Sequence, residues 1–131
     1  MRKLMIILSF MFILFACDNQ NINEEHHSYI ENLGWTNAAF DSTEQVTLDF
    51  ASETIANYKA ANITFIEDYI GKVLNITTYK SKEKDPEGDN LIINVYEYEG
   101  EIVGSIGETT NYTPGMFNPS DKKGLEDSFE R

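Results

Sequence analysis

Cysteine is nearly absent from this chain. Cys17 is the only one, so no disulfide can form within a molecule and the fold has to be held by its core. Positive charge is scarce too, with 10 Lys and Arg against 22 Asp and Glu and a formal net charge of −12. The one basic cluster, Lys80, Lys82 and Lys84, is broken by Glu83 and followed by Asp85. That excludes the patch of clustered Lys and Arg by which nucleic acids are bound, so no nucleic-acid partner is expected. Histidine occurs only as His26-His27. Neighbours one apart on a helix point about 100° from each other and cannot share an ion unaided, so no metal and no cofactor are expected. No internal repeat or low-complexity segment is visible. What is present is enough for one packed domain: 131 residues, 41% of them hydrophobic, with eight Phe, seven Tyr and one Trp.

The first residues differ from the rest. Arg2 and Lys3 precede an apolar stretch from Leu4 to Ala16 broken only by Ser9, the layout of a secretory signal. At 1.5 Å rise per residue this stretch reaches about 20 Å, short of the ~30 Å hydrocarbon core. Leu14-Phe15-Ala16-Cys17 resembles the lipobox of bacterial lipoproteins, in which the Cys becomes the mature N-terminus; Phe15 departs from the small residue more usual there. The resemblance implies cleavage after Ala16 and acylation of the Cys17 thiol, with acyl chains contributing about 0.8 kcal/mol per buried CH₂. Removal of residues 1–16 takes away two bases and no acid, leaving a strongly anionic mature chain that favours solubility beside a membrane and association with cations or a basic partner. The expected location is the extracytoplasmic face of the cell membrane, with membrane lipid as a partner through acylated Cys17.

The remainder is expected to comprise a lipid anchor and tether over residues 17–23, a single globular domain over 24–117 and a mobile tail over 118–131. Asn23-Glu24-Glu25 marks a helix start, and Ile22, His26, Tyr29, Ile30 and Leu33 share its apolar face. Gly34 supplies the left-handed stop and Trp35 folds back on Ile30. Val46, Leu48 and Phe50 alternate with polar neighbours as a strand, and Ser52 caps a second helix ending near Ala61. Lys72 to Tyr79 is a strand, Lys80 to Asn90 a polar loop, and Leu91 to Tyr98 a central strand apolar on both faces. Glu99-Gly100 turns that strand back into Glu101 to Glu108, with a bulge allowed for because Glu does not favour the turn. These elements predict an α+β two-layer sandwich, about two helices packed on one face of an antiparallel sheet of about four strands.

Asp85-Pro86-Glu87-Gly88-Asp89-Asn90 is oxygen-rich but lacks the spacing of a calcium loop and reads as a loop tip. Nucleophilic catalysis needs a base, and both histidines sit beside the tether while Cys17 is taken by the anchor; no catalytic residue is assigned. Tyr69, Lys72 and Tyr79, with Tyr96 and Tyr98, form a possible aromatic binding surface, against the plainer reading that these tyrosines cover a sheet.

Leu33-Gly34-Trp35, Tyr69-Ile70-Gly71-Lys72, Thr78-Tyr79 and the run Tyr98 to Gly104 together resemble an uncharacterised domain family of small Firmicute lipoproteins and membrane-anchored proteins. The resemblance spans about Tyr29 to Phe117 and implies a bacterial cell-envelope domain without an established activity. Three functions follow as expectations: a non-catalytic module binding an envelope protein or small ligand, a carboxylate-dependent envelope enzyme, or a masking, immunity-type partner protein.

Overall fold

The computed structural model describes residues 23–36, 38–110 and 115–130. Cys17 and the signal segment lie outside the described residues. The elements are α1 (Glu24–Asn32), β1 (Ala39–Thr47), α2 (Ser52–Ala60), a 3₁₀ turn (Phe65–Tyr69), β2 (Val73–Lys84), β3 (Asn90–Tyr98), β4 (Glu101–Glu108), β5 (Met116–Phe117) and α3 (Lys122–Phe129). The five strands form one antiparallel sheet in the order β1-β2-β3-β4-β5.

Helix α1 begins as its sequence dictates. The Asn23 side-chain oxygen accepts from the amides of Glu25 and His26 at 3.0 and 3.1 Å, satisfying donors that the first turn leaves unpaired. It ends at Gly34 (φ 99°), where the Trp35 amide donates back to the Ile30 carbonyl at 3.3 Å. The Trp35 ring is thereby carried under the helix, 1% exposed, and its Nε1–H donates to the Pro119 carbonyl at 2.8 Å. Lys122 completes this corner: its ammonium lies 4.9 Å from the Trp35 ring centre and donates to the Gly34 carbonyl and the Glu83 carboxylate, both at 2.8 Å.

Side chains alternate across a strand, so consecutive residues of β3 serve opposite faces. Leu91, Ile93 and Val95, with Tyr79 of β2, join Ile30, Trp35, Ala38, Phe117 and Leu125 in one buried cluster. Leu74, Tyr96 and Ile106 join Leu48, Ile63 and Ile66 in the other. The first cluster is supplied by α1 and α3, the second by the chain around α2 and the 3₁₀ turn. The chain is α+β as expected, but with three helices and five antiparallel strands where an α+β two-layer sandwich of about two helices and about four strands was expected, and buried clusters lie on both faces of the sheet. The reason is legible in β3 itself, which is apolar at both parities and needs cover on both sides.

Several stretches depart from the sequence reading: β1 ends at Thr47, leaving Leu48 and Phe50 beyond it, and Ser52 is the first residue of α2, with Ala51 at the cap position and no side-chain cap bond. The polar run Ala39–Glu44 extends β1 forward; β1 is an edge strand, exposed except for half-buried Val46, and is held by pairing with β2 and not by a buried face. β2 runs on to Lys84, so the loop shrinks to Asp85–Asp89, where Asp85 Oδ1 accepts from the amides of Glu87 and Asp89 at 2.8 and 3.0 Å. The segment read as a mobile tail contains α3, capped by Asp121 on the Gly124 amide and docked through buried Leu125. The β3–β4 turn does place Glu99 (φ 51°) and Gly100 (φ 87°) in left-handed conformations. The allowed-for bulge is present: Tyr96 pairs with Gly104 but Glu97 with Ile102, which leaves Val103 as the extra residue.

Candidate binding cleft

The N-cap that starts α1 also fixes its third residue, His26, against the sheet. The imidazole is 1% exposed and sits edge-on to Tyr79, ring centres 5.7 Å apart. His26 Nδ1 and Tyr79 Oη share a hydrogen bond of 2.6 Å. On the other side of the ring, Nε2 lies 3.0 Å from Glu97 Oε2. That approach lacks hydrogen-bond alignment, and Nε2 is a buried nitrogen without an aligned partner. The contact is therefore a close approach and not a formed hydrogen bond. Burial, and secondarily the Glu97 charge, push the Tyr79 phenol up to about 12, so the hydroxyl stays protonated at neutral pH.

These three side chains form one wall of a cleft of ≈ 320 Å³. Register supplies the rest. Phe40 pairs with Tyr79, Thr43 with Thr77 and Gln45 with Asn75, so alternate residues of β1 and β2 present their side chains on the His26 side of the sheet. Phe40 packs edge-on to Tyr79 at 6.2 Å, and the Thr43 and Thr77 hydroxyls are 3.2 Å apart. Asn23 and Asn75 complete the lining. Asn75 and Glu97 also line a second cavity of ≈ 540 Å³, which continues past Gln45 and Val73 to Lys72, Tyr98 and the Glu99-Gly100 turn. The surface is mixed: amides, hydroxyls and a carboxylate beside an aromatic ring 44% exposed and a valine 50% exposed.

The five residues proposed from sequence as one surface do not lie together. Tyr69 and Tyr98 pack at a tilt of 54° with ring centres 5.2 Å apart and the Lys72 ammonium 5.7 Å from the Tyr98 ring, so these three form a cluster at one end of the sheet. Tyr79 faces the opposite side, in the His26 cleft. Tyr96 is buried under Phe65 at 5.4 Å, and burial drives its phenol far above the ordinary value. The parity of the strands separates them: Tyr79 shares a face with Ile93, and Tyr96 with Leu74 and Ile76. Sequence reasoning placed His26 on the buried helix face but missed its partners. The available signal was Glu97, an acid whose parity matches core residues Ile93 and Val95.

Among the described residues no group of three or more His, Cys, Asp and Glu is disposed to hold a metal, and no helix is long and apolar enough to cross a membrane. Comparison with protein-family models, curated proteins and solved structures gives no match to this chain.

Proposed function

We propose that this chain is a lipid-anchored domain of the bacterial cell envelope that binds a ligand or partner protein in the His26–Tyr79–Glu97 cleft and performs no chemistry on it. The observation that carries the reading is how the cleft's titratable groups are used. His26 Nδ1 is engaged by Tyr79, its Nε2 is buried against Glu97, and the phenol is held protonated. A general base needs an open nitrogen within reach of the substrate proton. What the cleft offers instead is recognition: amides, hydroxyls, one carboxylate and an exposed ring.

The anchor is argued from the lipobox-like Leu14-Phe15-Ala16-Cys17 and from the resemblance to small Firmicute lipoproteins. Asn23, which lines the cleft, is six residues beyond Cys17, so a fully extended tether of about 20 Å would keep the cleft beside the membrane. Two variants test the two halves of the proposal. Cys17→Ala is expected to leave the membrane fraction or to remain unprocessed; a processed chain retained on the membrane overturns the anchor. Asn75→Trp fills the cleft from an exposed strand position and is expected to lose whatever co-purifies with the detergent-extracted wild type. Unchanged co-purification overturns the cleft as the binding site.

A further inference from the structure

We propose that the cleft is a receptor for a primary ammonium group, with Glu97 as its counter-ion; this rests on the reading of the cleft as the binding site and names the chemistry of what binds there. Four observations converge. Among the described residues no Lys or Arg forms an ion pair with Glu97; the ion-paired lysines are Lys59, Lys122 and Lys123, with Glu67, Glu83 and Asp127. Lys72, the lysine lining the adjoining cavity, is drawn over the Tyr98 ring. The one basic group against Glu97 is His26, and its Nε2 sits 3.0 Å away without the alignment that would satisfy the carboxylate. Glu97 thus presents an acceptor, 16% exposed at its side chain, on the wall of a cleft in an anionic chain.

The surrounding groups suit three N–H donors better than any other charged group. An ammonium needs several acceptors around a compact charge, and the cleft is lined by Asn75, Thr43 and Thr77, whose side-chain oxygens can accept, beside Glu97. The Phe40 ring borders the same space and attracts cations through its face. An anion would meet the Glu97 carboxylate with no Lys or Arg among the residues lining the cleft to offset it. His26, locked through Nδ1 to Tyr79, packs beside Glu97 with Nε2 3.0 Å from the carboxylate.

The ammonium has two sources of the same chemistry, a lysine side chain of a protein partner or a free small amine. The test titrates the full chain in non-ionic detergent with Nα-acetyl-lysine methylamide, its uncharged isostere Nα-acetyl-norleucine methylamide, and cadaverine, following backbone amide shifts. Saturable shifts at Thr43, Asn75 and Glu97 are expected, with the lysine probe binding at least ten-fold more tightly than the norleucine probe. Glu97→Gln should abolish that preference. Tighter binding of the lysine probe than of cadaverine assigns the site to a protein side chain, and the reverse assigns it to a free amine. Equal binding of the norleucine probe, a preference that survives in Glu97→Gln, or shifts confined to acids elsewhere on the surface overturns the inference, and the probe comparison on the wild type needs no variant to fold. If the native ligand is lost in Asn75→Trp but retained in Glu97→Gln, the cleft stands as the binding site and the ammonium assignment fails alone.

Discussion

Replacing Tyr79 by Phe removes a single oxygen, yet the geometry predicts a cost well above that of an ordinary surface change. The hydroxyl is bonded to His26 Nδ1 at 2.6 Å, and both rings are 1% exposed, so water cannot take its place. The net value of such a bond is about 1 kcal/mol, and leaving the partner nitrogen buried and unpaired raises the loss to about 1–3 kcal/mol. For a domain of this size each kcal/mol lowers Tm by about 4 °C. The clean assay is a double-mutant cycle in urea with Tyr79→Phe, His26→Leu and the double variant. Once both polar partners are gone no orphan remains in the core, so the double variant should cost less than the two singles together, by about 1 kcal/mol or more. Additivity within about 0.3–0.5 kcal/mol would show that the two side chains do not act as a pair, and the account of how α1 is fixed to the sheet would fall.

The same reasoning gives three further expectations. Burial alone would raise the Glu83 carboxyl, but the Lys122 hydrogen bond and charge, with backbone donors, hold it below its ordinary 4.5; its contribution is therefore present above that value and lost as pH falls through the lower folded value. The stability gap between wild type and Glu83→Gln, about 0.5–1.5 kcal/mol at neutral pH for this partly exposed pair, should close in acid, and a gap that does not change with pH would contradict the assignment. Gly107→Ala would set a methyl 2.3 Å from the Phe117 ring that closes over β4, and should cost about 1–3 kcal/mol in denaturant unfolding. Glu99→Gly, at φ 51° in the exposed β3–β4 turn, should raise Tm, since a side chain in the left-handed region costs about 1–2 kcal/mol and outweighs its exposed hydrogen bond with Tyr98; a lower Tm would refute this.

Much of the frame was legible because local chemistry and tertiary structure agree there. Asn23, Ile30, Gly34 and Trp35 announce a helix with a cap, an apolar face and a left-handed stop, and α1 uses each of them in that way. Leu91–Tyr98 reads as a central strand because it is apolar at both parities. The misses have one cause in common, which is that pairing and docking are not local. Nothing in Ala39–Glu44 alternates, and it is a strand because β2 offers it a ladder. Ser120–Arg131 is polar overall, and its helix is ordered through single contacts with distant residues: Leu125 in the core, and Lys122 on Gly34 and Glu83. The cleft was hidden for the same reason. His26 and Glu97 are far apart in sequence, and only the parity of β3 and the facing of α1 bring them to 3.0 Å.

The most direct test of the proposed binding cleft is amide hydrogen exchange on the protein as purified from its native source, compared with the same protein stripped in high salt. The account predicts that stripping raises exchange in the segments that build the cleft: the start of α1, Phe40–Gln45, Asn75–Tyr79 and Val95–Glu97. Changes confined to the Tyr69–Tyr98 end of the sheet or to α3, or no change between the two preparations, would contradict it.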